Sequence, residues 1–146
     1  MTRNSKQFLR TCLTQLCLVL AVGAAAAAAQ AVVSASDGVV TLPTAGATSA
    51  VVAGSIQNPT MYDIYVVSAS TDVAGGVEFR DVQAGQLKPV KEFTVASFGS
   101  IDLKADGTHL LLMDLKRPLR EGETVEVTIR TDGGIVLKLA ATVRKP

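Results

Sequence analysis

A chain of 146 residues has room for one domain, and 14 basic against 13 acidic side chains, a formal charge of +1, leave no surplus for gripping nucleic acid. A single histidine rules out a multi-histidine metal centre. Hydrophobic residues make up 48% of the chain and aromatic ones only 4%, so any core must be aliphatic.

Residues 1–30 carry the pattern of a secretory signal peptide. Arg3, Lys6 and Arg10 form a positive start without an acid, Thr11 to Ala29 runs apolar, and six alanines precede Gln30. The run is about long enough to span a bilayer, but nearly half of it is alanine and glycine, which gain little from lipid. Cleavage near Gln30 is therefore expected over a retained anchor. Lipid attachment at Cys17 is not the favoured alternative, because Thr14-Gln15-Leu16 lacks the small residues expected just before a lipidated cysteine. Removing the leader removes Cys12 and Cys17, and with three fewer bases the formal charge falls from +1 to −2. The expected product is a periplasmic or secreted domain, residues 31–146, with no thiol and no stable membrane span.

From Val32 onward the apolar residues alternate with period two, the spacing of half-buried strands. In chain order the strands are expected at Val39 to Leu42, Ala47 to Gln57, Tyr62 to Ala69, Gly76 to Val82, Phe93 to Val95, Ser100 to Leu103 and His109 to Leu115. The breakers between them include Pro43-Thr44-Ala45-Gly46, Asn58-Pro59-Thr60, Ala74-Gly75-Gly76 and Ala105-Asp106-Gly107. Val125 to Arg130 and Ile135 to Val143 then form a hairpin across Thr131-Asp132-Gly133-Gly134, whose glycines supply positive φ. Many short strands without a helix predict an antiparallel sandwich or barrel.

The segment His109 to Val125, with Leu115-Lys116-Arg117-Pro118-Leu119-Arg120-Glu121-Gly122 at its turn, resembles the C-terminal signature of the periplasmic copper chaperones of the PCuAC (DUF461) family. Ser49 to Asn58, Gly76 to Val82, Leu87-Lys88-Pro89-Val90 and Ile101 to His109 are similar to further segments of that family. The resemblance implies a cupredoxin-like antiparallel β-sandwich. It also implies exported Cu(I) binding or delivery and a cuproprotein or other envelope protein as partner. The family motif has a histidine, an adjoining methionine, a further methionine and, after twenty-one residues, His-x-Met. Counting back from His109 puts Leu87 at the further methionine, and the same register gives Arg80, Val82 and Leu111 at the other ligand positions, so only His109 is kept.

Cu(I) favours thiolate, thioether and imidazole donors, and without the leader these are His109, Met61 and Met113. Met113 shares a face with His109 but lies about 13 Å along the strand at the usual rise, so it is expected in the core rather than on a metal. Met61 follows a turn and is expected to pack rather than ligate. Arg80 either faces His109 and repels a cation there, or pairs with Asp81 or Glu78 at the surface. Lys116, Arg117 and Arg120 read as a solvated turn. Neither a Gly-x-Ser-x-Gly elbow nor a phosphate loop is present, so no enzyme is expected. Two functions remain: an exported copper chaperone with copper as cargo, or a metal-free binding or structural module on the same fold.

Overall fold

A computed structural model describes residues 32–146 apart from residue 43; the expected signal peptide, with Cys12 and Cys17, lies outside the described residues. Ten strands follow one another: β1 Ser34–Thr41, β2 Ala50–Asn58, β3 Ile64–Thr71, β4 Ala74–Gln83, β5 Gln86–Val90, β6 Phe93–Val95, β7 Gly99–Leu103, β8 His109–Leu115, β9 Thr124–Thr131 and β10 Val136–Arg144. Hydrogen bonds join them in the order β5-β4-β8-β2-β1-β10-β9-β3-β6, with β7 paired to β2. The described residues contain no helix, and hence none long and apolar enough to cross a membrane. The expected all-β, cupredoxin-like architecture is the one observed.

Alternation explains the core. Val125, Val127 and Ile129 of β9 and Leu139, Ala141 and Val143 of β10 are fully buried, while Glu126 and Lys138 between them meet solvent and pair with each other at 3.1 Å. Burying a Val, Leu or Ile side chain contributes about 1.5–3 kcal/mol, so such alternating strands supply most of what holds the sheet together. The β9–β10 hairpin forms where expected, but only Gly134 has positive φ (80°), and the Thr131 N–H donates to Ile135 O at 3.0 Å across a three-residue loop. Ile135 therefore belongs to the turn and is partly exposed, whereas the strand begins at Val136.

Three features depart from the pattern in the sequence. β1 starts five residues before the expected Val39 and continues across an irregularity at Asp37, whose φ is 55°. β1 also pairs in parallel with β10, with Gly38 opposite Ala141. A Cβ on Gly38 would lie 2.6 Å from Ala140 O, so only glycine permits this approach. β5 lay hidden in sequence because Lys88 and Pro89 read as a loop. It is an edge strand, where proline's missing N–H costs nothing on the solvent side. Gln83 pairs with Gln86, so the β4–β5 loop is the two-residue turn Ala84-Gly85, both with positive φ.

Candidate metal face

The candidate site is built on β5, β4 and β8. Leu110 and Leu112 point into the core without exposure, and Phe79 of β4 does so beside Leu110 at 5%. Strand alternation then turns His109, Leu111 and Met113 of β8 to the other face, with Glu78, Arg80 and Val82 of β4. Register fixes the neighbours: Arg80 is opposite His109, Glu78 opposite Leu111, Gly76 opposite Met113, and Val82 opposite Leu87 of β5. Arg80, Val82, Leu87, His109 and Leu111 thus share one face of three strands.

His109 is nearly buried, at 3% exposure, because it opens β8 where the turn after β7 folds back. Its Nδ1 lies 2.8 Å from Gly107 O. A carbonyl only accepts, so Nδ1–H donates and the neutral ring keeps its lone pair on Nε2. Among the described residues Nε2 has no hydrogen-bond partner, yet no buried polar side-chain atom is left unpartnered, so Nε2 retains contact with solvent. Orientation of one ring nitrogen by a backbone carbonyl is the arrangement that presents the other to a ligand. The turn is fixed from the side as well: Thr108 Oγ1 donates to Asp81 Oδ1 at 2.6 Å. The two stand opposite each other because Arg80 pairs with His109, so this bond was legible from the register.

The position of Arg80 combines the geometry of both sequence readings. It is the cross-strand neighbour of His109, and its Nε donates to Glu78 Oε1 at 2.7 Å. The carboxylate offsets part of the repulsion that the guanidinium imposes on a cation, but it is engaged in doing so. Val82 and Leu87 are partly exposed hydrocarbons, and Leu111 is half-buried between Glu78 and Val51. Met113 corrects the core expectation: it is partly exposed on the outer face, four residues beyond His109 and opposite Gly76, which leaves it uncovered. Met61 is largely exposed in the turn after β2. His109 lies level with Ala53, which puts Met61 more than five residues of strand, roughly 17 Å, away. The face therefore offers one imidazole nitrogen and no thioether converging on it. That donor set does not fit a closed Cu(I) site.

The basic turn is a solvated ion pair, as its sequence indicated. Arg117 bonds Glu123 through its guanidinium. That hydrogen bond, with a second from the Arg120 N–H, holds the Glu123 carboxyl down at about 2.

Fold and register together define a domain of PCuAC type. Solved domains support this: the copper-bound PCuAC domain from PmoF2 superposes with a TM-score of 0.68 at 16% identity, covering 77% of this chain and 92% of that one. The Cu(I) form of DR1885 from Deinococcus radiodurans has a TM-score of 0.69 at 31% identity, covering 81% and 83%. The family model described as putative lipoprotein LpqE-like matches residues 29–143, and the chain belongs to that family. A curated relative, putative lipoprotein Lxx21020 of Leifsonia xyli subsp. xyli, is 26% identical over 96 residues; the matched part covers 62% of this chain and 58% of that relative.

Proposed function

We propose that this chain is an envelope-exported, copper-handling protein that contributes a single donor, His109 Nε2, and holds copper only when a partner supplies the remaining ligands. The observation that carries this reading is the Nδ1–H bond to Gly107 O, which fixes the ring and, among the described residues, leaves Nε2 of His109 free to accept a ligand. Membership of a family whose solved relatives include copper-bound PCuAC domains supports copper as the cargo. Export is supported by the basic, then apolar, N-terminal pattern and by the lipoprotein names of the family and its relative. Those names also return weight to lipid attachment at Cys17, against the leucine that precedes it. The cargo site would be shared, so the expected partner is a cuproprotein with an incomplete or exchangeable copper site. No catalytic role is assigned to any residue.

One observation favours the metal-free module: Arg80 places a permanent positive charge opposite His109. The two readings separate in an anaerobic Cu(I) titration followed by the imidazole proton resonances, which are unambiguous in a chain with one histidine. Copper handling predicts that Cu(I) shifts these resonances weakly and reversibly, with saturation only at high excess. Resonances that never move would leave the module alone.

A further inference from the structure

One end of the sandwich carries most of the exposed large hydrophobic side chains among the described residues. Among the described residues ten large hydrophobic side chains are exposed, and six of them, Val32, Met61, Tyr62, Phe98, Ile135 and Val136, converge at this end. The register places them there. Ser34 pairs with Gln57 and Asn58 with Gly99, so the start of β1, the turn after β2 and the turn before β7 adjoin. Val66 pairs with Thr131, and the Asp132 N–H donates to Tyr65 O at 2.9 Å, which adds the β9–β10 turn with Ile135 and Val136.

The two most exposed segments are held rigidly. Asn58, 1% exposed, gives Nδ2–H bonds to Tyr62 O (2.8 Å), Val95 O and Ala96 O (both 3.1 Å), and its Oδ1 accepts from the Thr60 N–H and hydroxyl. The Phe98 N–H donates to Thr60 O at 2.9 Å, and the Ser97 N–H to Asp63 Oδ1 at 2.8 Å. Phe98 adopts φ 53°, a left-handed conformation unfavourable to a bulky residue, and its ring is 75% exposed. A strained backbone that presents an aromatic ring to water stabilises nothing within the fold.

We propose that this end docks on the interfacial region of a lipid bilayer, with Tyr62 and Phe98 as its anchors. Tyrosine and phenylalanine at the tips of ordered turns suit a boundary that is wet on one side and apolar on the other. The chain itself favours this occupant: residues 1–31, with the apolar run Thr11 to Ala29, join the domain at Val32, at this same end. Lipid attachment at Cys17, to which the lipoprotein names of the family and its relative give weight, would hold that segment at a membrane and bring this end down upon it. Residues 57–63, 96–100 and 131–136 contain no Lys or Arg, and their acids Asp63 and Asp132 accept bonds from backbone N–H groups. Docking therefore needs no anionic lipid. Membrane proximity rests on the lipid-attached form of the proposed function, but vesicles test docking without reference to export or copper.

The chain contains no tryptophan, so one introduced residue reports its own surroundings. The full chain is reconstituted with neutral phosphatidylcholine vesicles bearing shallow nitroxide quenchers, as F98W or as A45W, the latter in the exposed β1–β2 turn at the opposite end. Both variants share the N-terminal segment, which itself favours the Phe98 end. Docking is therefore read from the quenching of F98W that is lost when Met61 and Tyr62 are changed and that segment is not; an undiminished difference would overturn the proposal. The expected result is blue-shifted emission from F98W, quenched several-fold more than that of A45W, with the difference reduced when Met61→Ser and Tyr62→Ser are added to F98W. Equal quenching of F98W and A45W, or none, would overturn the proposal. So would an F98W blue shift that grows with protein concentration in the absence of lipid, which would make a second copy the occupant.

Discussion

His109 and Asn58 are both buried polar side chains near strand ends, and they are treated in opposite ways. Every polar atom of the Asn58 amide is bonded, across 37 residues to Val95 and across four to Tyr62, so the residue is a clamp with nothing left to offer. His109 makes one local bond and keeps its second nitrogen unpartnered among the described residues. The first spends its chemistry inward on rigidity; the second holds some in reserve. A buried polar residue therefore indicates a ligand site only after its hydrogen bonds have been counted.

The comparison can be broken by substitution. Leu112→Ala, in the core beneath the candidate face, is expected to lower stability the most, by about 3 kcal/mol or more, and chemical denaturation measures it. Asn58→Ala should follow at about 2–3 kcal/mol, because three carbonyls and the Thr60 N–H lose their bonds to the amide. His109→Ala should cost less, about 1–2 kcal/mol, the loss of one bond to Gly107 O together with the packing of a nearly buried ring. A His109→Ala penalty larger than that of Asn58→Ala would reverse the roles assigned to them.

Two smaller effects sharpen the picture beyond these residues. Ala84→Asn, in the left-handed turn between β4 and β5, is expected to stabilise by about 0.5 kcal/mol, seen as a higher denaturation midpoint. At the far turn the folded Glu123 carboxyl is depressed from its ordinary value of 4.5 to about 2. Its contribution is present above the unfolded value and disappears as pH falls through the folded one. Glu123→Gln should therefore flatten the stability profile between roughly pH 4.5 and 2, in acid titration at constant denaturant. Because this pair is exposed, the change should be slight.

Much of the fold was legible because alternation of Val, Leu and Ile specifies faces directly; β6 and β8 have the bounds that the sequence indicated. The counted spacing from Leu87 to His109 also placed Arg80, Val82, Leu87 and His109 on adjoining strands, because turn and strand lengths fix register. β5 escaped, since Pro89 signals a loop until the strand is known to lie at an edge. The exposure of Met113 escaped too, because an apolar run conceals which face the fold covers: Gly76 opposite leaves the methionine bare. The Asn58 clamp and the cluster of Tyr62 with Phe98 depend on contacts between distant turns, which no local pattern encodes.

We propose that the fold keeps the strands and register that frame a copper site in PCuAC domains, without the donors. Competition for Cu(I) against a chromophoric chelator, without oxygen, tests it most directly when the native chain is compared with the combined Arg80→His, Leu87→Met and Leu111→Met variant. The native chain should leave the chelator's copper in place, and the variant, with imidazole and thioethers around His109 Nε2, should remove it. Native protein that strips the chelator as well as the variant does would contradict the account.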